Sequence, residues 1–263
     1  MNKISDAFKE KNAFVAFITA GDPNLKTTRE LIISMAEAGA DLIELGLPFS
    51  DPVAEGPVIQ RASQRALLAG TTTDKIFDML SGLKGSVKVP LAVMTYINPV
   101  FKYGYESFFK KCNECGISGI IIPDLPFEEH GEILPYCKKY GVSLISMIAP
   151  TSEERISMIA TRSEGFIYCV SSMGVTGIRS SFDTKINEVI SSIRSVSTNP
   201  VALGFGISTP EQAKELIQYA DGIIVGSSIV TIIEEHGEDC IEPVCRYVST
   251  MKNACTNLDK KRG

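Results

Sequence analysis

Short apolar runs recur along the chain at roughly 20–45-residue spacing, and each is followed by a segment with apolar positions at helical spacing. The runs Phe14–Ala20, Ala40–Leu47, Pro90–Tyr96 and Gly119–Leu125 read as the first four strands. Val142–Ala149, Gly165–Val170, Pro200–Phe205 and Asp221–Val225 read as the next four. Helical patterns cover Leu25–Ala38, Val58–Leu68, Thr73–Leu83, Tyr105–Cys115 and Glu128–Tyr140 in the first half. Glu153–Arg162, Asp183–Val196, Pro210–Tyr219, Ser228–Glu235 and Glu242–Cys255 continue the series, and an extra helix over Ile4–Lys11 precedes the first strand. Strands that are apolar almost throughout are covered on both faces, as in parallel sheets. Eight such repeats in 263 residues predict a (β/α)8 TIM barrel. A doubly wound sheet is the alternative, but it rarely uses units this even. No linker or low-complexity segment divides the chain, so a single domain over residues 1–263 is expected.

A barrel places function on the loops that leave the C-terminal strand ends. The unusual residues fall there. Glu44 lies inside the apolar second strand, and by two-residue alternation Leu42, Glu44 and Gly46 share one face. Burying a carboxylate is costly unless it is paired or used, so Glu44 is either a structural acid with a buried partner or a proton-transfer group. Eleven residues later, after a loop stiffened by Pro48, Pro52 and Pro57, stands Glu55. Asp51 and Glu55 also suit plain turn chemistry.

Strand seven ends Gly204-Phe-Gly-Ile-Ser-Thr-Pro210 and strand eight ends Val225-Gly-Ser-Ser228. Glycine-rich turns opening onto helices at these two strand ends are where barrels often hold a phosphate, although two ordinary tight turns would read the same. The small, polar loop Ser171–Ser181 reads as a lid with Gly174 and Gly177 as hinges, or as a plain flexible loop. Tyr168, just upstream, shares a strand face with Phe166 and Val170.

Composition narrows this further. A net charge of −5 without a basic run argues against a nucleic-acid partner. Mean hydropathy is +0.11, yet no apolar run approaches the about 18–20 residues of a membrane span. The stretch Ala13–Ala20 reads as a strand, because charges precede it and Gly-Asp-Pro follows. The seven cysteines include one CxxC, Cys112 and Cys115, with no second pair and no nearby histidine. Free thiols in a reducing cytoplasm are expected, and no metal. The two histidines, His130 and His236, sit in charged helical segments. Neither HExxH nor GxSxG occurs, which leaves carboxylates as the acid–base candidates.

Almost end to end, the chain resembles the tryptophan synthase alpha subunit family. Leu42–Pro57 is the most specific match, supported by Phe17–Pro23, Tyr96 with Asn98, Pro123–Pro126, Gly174–Gly177, Gly204–Ile207 and Gly226-Ser227. The resemblance implies retro-aldol cleavage of indole-3-glycerol phosphate to indole and glyceraldehyde 3-phosphate. It makes Glu44 the acid that protonates indole C3, Glu55 the carboxylate that steadies the indole nitrogen, and Tyr168 a hydrogen-bonding support for Glu44 and the substrate. Gly177, Gly206, Gly226 and Ser227 would hold the phosphate. Phe17, Tyr96, Ile121, Met147 and Phe205 would line the indole slot, and Gly174 and Thr176 would belong to the lid.

The implied partner is a pyridoxal-phosphate beta subunit in an α2β2 heterotetramer, met through Pro48, Asp51, Pro52 and Asn98. No cofactor is expected in this chain. The family usually carries aspartate where Glu55 stands, and some relatives carry arginine and alanine where Ser172 and Met173 stand. The longer Glu55 side chain leaves open a second role, a low-activity allosteric partner of the beta subunit. A stand-alone lyase, or another phosphate-binding barrel such as an isomerase, is a further alternative.

Overall fold

The computed structural model describes residues 4–10, 12–150, 152–170, 179–204 and 206–256. Its strands are β1 (Ala13–Thr19), β2 (Leu42–Gly46), β3 (Leu91–Met94), β4 (Ile117–Ile121), β5 (Ser143–Leu144), β6 (Ser146–Ile148), β7 (Ile167–Val170), β8 (Val201–Gly204) and β9 (Gly222–Val225). All pair in parallel, in the order β5-β4-β3-β2-β1-β9-β8-β7-β6. The two ends of that order are halves of the predicted fifth strand. Ser143 and Leu144 pair with β4, Ser146–Ile148 pair with β7, and Ile145 between them still donates to Ile120 O at 2.9 Å. One strand thus changes partners midway and closes the ring, as the stagger of a tilted barrel requires. The expected (β/α)8 barrel is the architecture found.

Alternation sorts each strand into two faces. Outward residues such as Phe14, Ala16, Ile18, Ile43, Leu45, Val93 and Ile120 join the helices in one large core. Inward residues Val15, Leu42, Ala92, Ile121, Ile145, Phe166, Ala202 and Ile224 make a second core that fills the lumen. Ile4 and Phe8 plug its floor. Glycine notches admit them: a Cβ on Gly119 would stand 2.8 Å from Ile4, and one on Gly222 would stand 2.8 Å from Phe8. The segment carrying the plug is a 3-10 turn over Ile4–Phe8 rather than the expected helix to Lys11.

The helices that frame the site are α1 (Leu25–Glu37), α2 (Pro57–Leu68), α3 (Thr73–Ser81), α4 (Ile97–Tyr103), α5 (Tyr105–Glu114) and α6 (Leu134–Tyr140). They continue with α7 (Glu153–Arg162), α8 (Arg179–Val196), α9 (Pro210–Leu216), α10 (Ser227–His236) and α11 (Ile241–Thr256). Two differences from the pattern have local causes. Strand four stops at Ile121, since Pro123 cannot donate to a ladder. The helix expected over Glu128–Tyr140 is a 3-10 turn, Phe127–Glu132, followed by α6, whose first turn contains the proline that cannot continue a preceding helix. Helix α4 escapes the periodicity because it is one short turn pair after a strand. Asp124 Oδ1 holds it by accepting from Ile97 N–H at 3.0 Å.

Candidate active site

Glu44 is on the lumen face of β2, in register with Phe17 of β1 and Ala92 of β3. It is 1 % exposed, and neither carboxyl oxygen has a hydrogen-bond partner among the described residues. Burial, reinforced by the charge of Glu55, pushes its pKa up to about 8. A carboxyl group in that state carries its proton at neutral pH, which is what a general acid needs.

Tyr168 projects from β7 near Glu44. Burial first, and then the Glu44 charge, push its hydroxyl well above the ordinary tyrosine range, so it stays a neutral donor. The expected hydrogen bond from Tyr168 to Glu44 is not made: neither Glu44 oxygen has a partner among the described residues. The phenol instead lies across Gly204 at the end of the neighbouring strand β8: a Cβ there would stand 2.5 Å from the ring. Phe17 has the same relation to Gly46, at 2.6 Å. Glycine is required at these positions for close approach. Gly204→Ala should push the Tyr168 ring out of place, destabilise the protein by about 1–3 kcal/mol and depress activity, measurable by urea titration beside steady-state turnover.

Around Glu44 the lumen wall includes Ile121 and, partly buried, Met147, Met94 and Tyr168. Phe17 forms a separate buried cluster with Ala62 and Val230, against which Val58, Ile59 and Met94 pack. Met94, which touches both groups, is absent from the sequence-based set. Its place two residues after Ala92 on the same strand face is the signal that could have found it.

Glu55 lies on the loop from β2 to α2, whose first residue is Pro57, where a missing N–H costs nothing. It is partly buried. Burial raises its pKa, and a hydrogen bond from the Tyr96 hydroxyl opposes that rise. The same hydroxyl accepts from Ala54 N–H at 3.1 Å, so Tyr96 fixes both the backbone and the side chain of this loop. Gln60 adds a bond to Glu55 O at 2.8 Å, and Phe49 packs on the Tyr96 ring with centroids 5.3 Å apart. Sequence reasoning placed Tyr96 in the pocket but missed its hold on Glu55.

Gly206 has φ +76°, the left-handed region, and is exposed at the end of β8. Gly226 precedes α10 without any side-chain cap, and the first helical residue, Ser227, is exposed. The first-turn N–H groups of α10 are therefore open to an anion. Gly174, Thr176, Gly177 and Phe205 lie outside the described residues.

Pro48, Asp51, Pro52 and Asn98 stand at the rim of the same barrel end, Asp51 and Asn98 exposed. His130 packs edge-on against Phe127, with ring centroids 5.2 Å apart. All seven cysteines are free thiols, and six of them are buried. Among the described residues no cluster of histidine, cysteine or acid is placed to hold a metal, and no helix is long and apolar enough to cross a membrane.

A proton-bearing carboxyl at the top of the lumen, a second carboxylate on the next loop and an open helix N-terminus across the mouth define a barrel enzyme built for acid–base chemistry beside an anion. The model of the family described as tryptophan synthase alpha chain matches residues 4–257. The tryptophan synthase alpha chain of Lacticaseibacillus casei is 43 % identical over 254 residues, covering 97 % of this chain and 96 % of that protein. That of Thermoanaerobacter sp. (strain X514) is 44 % identical over 259 residues, covering 96 % of this chain and 99 % of that protein. The solved tryptophan synthase subunit alpha from Legionella pneumophila superposes with a TM-score of 0.88 at 35 % identity, covering 98 % of this chain and 99 % of that one. The chain belongs to the tryptophan synthase alpha chain family. It is a carbon–carbon lyase that carries out the half-reaction cleaving indole-3-glycerol phosphate to indole and glyceraldehyde 3-phosphate.

Proposed function

We propose that Glu44 is the general acid and base of this cleavage and Glu55 its electrostatic partner. The Glu44 carboxyl proton goes to indole C3, and positive charge develops on the ring nitrogen. The Glu55 carboxylate accepts the ring N–H and steadies that charge. Glu44, now ionised, takes the proton of the hydroxyl on the adjoining side-chain carbon. That carbon becomes an aldehyde, its bond to indole C3 breaks, and the bonding pair returns to the ring and cancels the charge on nitrogen. Glu44 ends protonated, ready for another turnover.

One observation carries the reading: Glu44 is a buried carboxyl with no hydrogen-bond partner among the described residues and with its proton retained to about pH 8. Tyr168, lacking a bond to Glu44, keeps its hydroxyl for the substrate. Gly206, Gly226 and Ser227, with Gly177, receive the phosphate; Phe17, Tyr96, Ile121 and Met147, with Phe205, form the indole slot, and Gly174 and Thr176 belong to the lid. The test is steady-state turnover of indole-3-glycerol phosphate by this chain with and without a beta subunit. Indole and glyceraldehyde 3-phosphate should appear in equal amounts. Isomerised substrate with an intact carbon–carbon bond would refute the assignment.

As an alpha chain it works with a beta subunit. The finer picture is an α2β2 heterotetramer in the cytoplasm, with pyridoxal phosphate in the beta subunit and no cofactor here. Its docking surface is the rim of Pro48, Asp51, Pro52 and Asn98. Two large apolar side chains stand out beside it, Val53 at 77 % exposure and Phe101 at 68 %. Exposed apolar groups clustered at a rim mark an interaction site. Phe101→Asp should weaken beta-subunit binding about tenfold or more by calorimetry, while cleavage by the isolated chain stays unchanged.

A further inference from the structure

Helices α2 and α10 lie side by side over β1 and are joined by charged side chains that the chemistry above does not use. Arg65 of α2 grips Asp22, in the loop after β1, with two parallel bonds: Nε to Oδ1 and Nη2 to Oδ2, both 2.8 Å. Its remaining arm, Nη1, reaches Glu234 Oε1 of α10 at 2.8 Å. One turn earlier, Arg61 closes a second fork on Glu234, with Nε and Nη2 each at 2.8 Å. An exposed ion pair contributes little. Asp22, however, is 1 % exposed, and a buried carboxylate needs its cation. Only the planar guanidinium can serve two carboxylates at once with this geometry.

The position of the clamp gives it a consequence. Two residues before α2 begins stands Glu55, and α10 begins at Ser227. Between the two helices, Ala62 of α2 and Val230 of α10 close on the Phe17 ring. The clamp therefore ties together the bodies of the two helices whose first residues border the two ends of the substrate site and whose Ala62 and Val230 form its apolar wall. Resting on the site assigned above, we propose that Arg65, with Glu234, is a positioning residue that locks the Glu55 end and the phosphate end of the site into one rigid unit. A misplacement near 1 Å can cost about 10²-fold in such a site, so loosening the lock should be felt at both ends together.

Arg65→Lys and Glu234→Gln test this in the full chain. The readouts are kcat, KM for indole-3-glycerol phosphate, the inhibition constant of inorganic phosphate, and the unfolding midpoint. Each variant should lower kcat about tenfold and raise both KM and the phosphate inhibition constant about threefold or more, with Arg65→Lys the more severe. Should Arg65→Lys fail to fold, Glu234→Gln decides, since it leaves the Arg65–Asp22 fork in place. Unchanged constants, or a change at one end only, overturn the proposal. So does a fall in apparent kcat that tracks the lost folded fraction while KM and phosphate inhibition stay put, which is what a purely structural tie would give. A parent protein that releases no indole would instead refute the assigned reaction, and the phosphate constants of the variants would still report on the clamp.

Discussion

Glu44→Gln should lower indole release by about 10²–10⁴-fold and, at neutral pH, should leave a protein more stable than its parent. Both effects come from one cause. Folding takes Glu44 from the ordinary glutamate value of 4.5 to about 8. Between those values the folded chain holds a proton that the unfolded chain has released, so stability falls as pH rises through this window and levels off above it. At pH 7 the burden is on the order of 3 kcal/mol, and glutamine does not titrate. A buried amide and a buried neutral carboxyl both lack partners here, so that cost nearly cancels in the comparison.

Urea titrations of parent and variant should therefore diverge as pH is raised from about 5 to about 8. Parallel curves would show that Glu44 is ionised in the folded protein. In the parent, kcat/KM should decline above about pH 8, as the proton destined for indole C3 is lost. Phosphate inhibition of the glutamine variant should match that of the parent, because Ser227 and the α10 N-terminus are untouched.

Glu55→Gln should lower kcat about 10²–10³-fold, the usual effect of removing a group aimed at transition-state charge. Glu55→Asp asks a finer question. Tyr96 donates to the longer Glu55 carboxylate and also accepts from Ala54 N–H, so loop and side chain are set as a unit. Shortening the side chain breaks that bond and should cost about tenfold in kcat. A large gain in indole production by the free Glu55→Asp chain would instead identify the native protein as a low-activity partner of the beta subunit.

Much of this architecture is legible in the chain because burial on two faces leaves a plain record. Apolar runs such as Ala40–Leu47 can only be strands covered on both sides, and eight of them with intervening helical patterns admit few folds. Elements that owe their form to neighbours leave weaker traces. Helix α4 is short and is held by Asp124 from another loop, so no periodicity announces it. The break at Ile145 answers to the stagger of the closed ring rather than to any local signal. The 3-10 turn at Ile4–Phe8 exists because Gly119 and Gly222 leave room for its side chains.

The site divides in the same way. Residue type and spacing along the chain determined that Glu44 lies on a strand, that a second acid follows on its loop, and that glycine-rich turns close the last two strands, β8 and β9. Only the tertiary structure decided what these groups can do. It withheld a hydrogen bond between Tyr168 and Glu44, turned Tyr96 toward Glu55, and set Arg65 between Asp22 and Glu234. Above all it decided that Glu44 keeps its proton. A carboxyl group in an isolated strand is solvated and acidic. Its pKa rises only when the other strands of the barrel converge around it and exclude water from both oxygens.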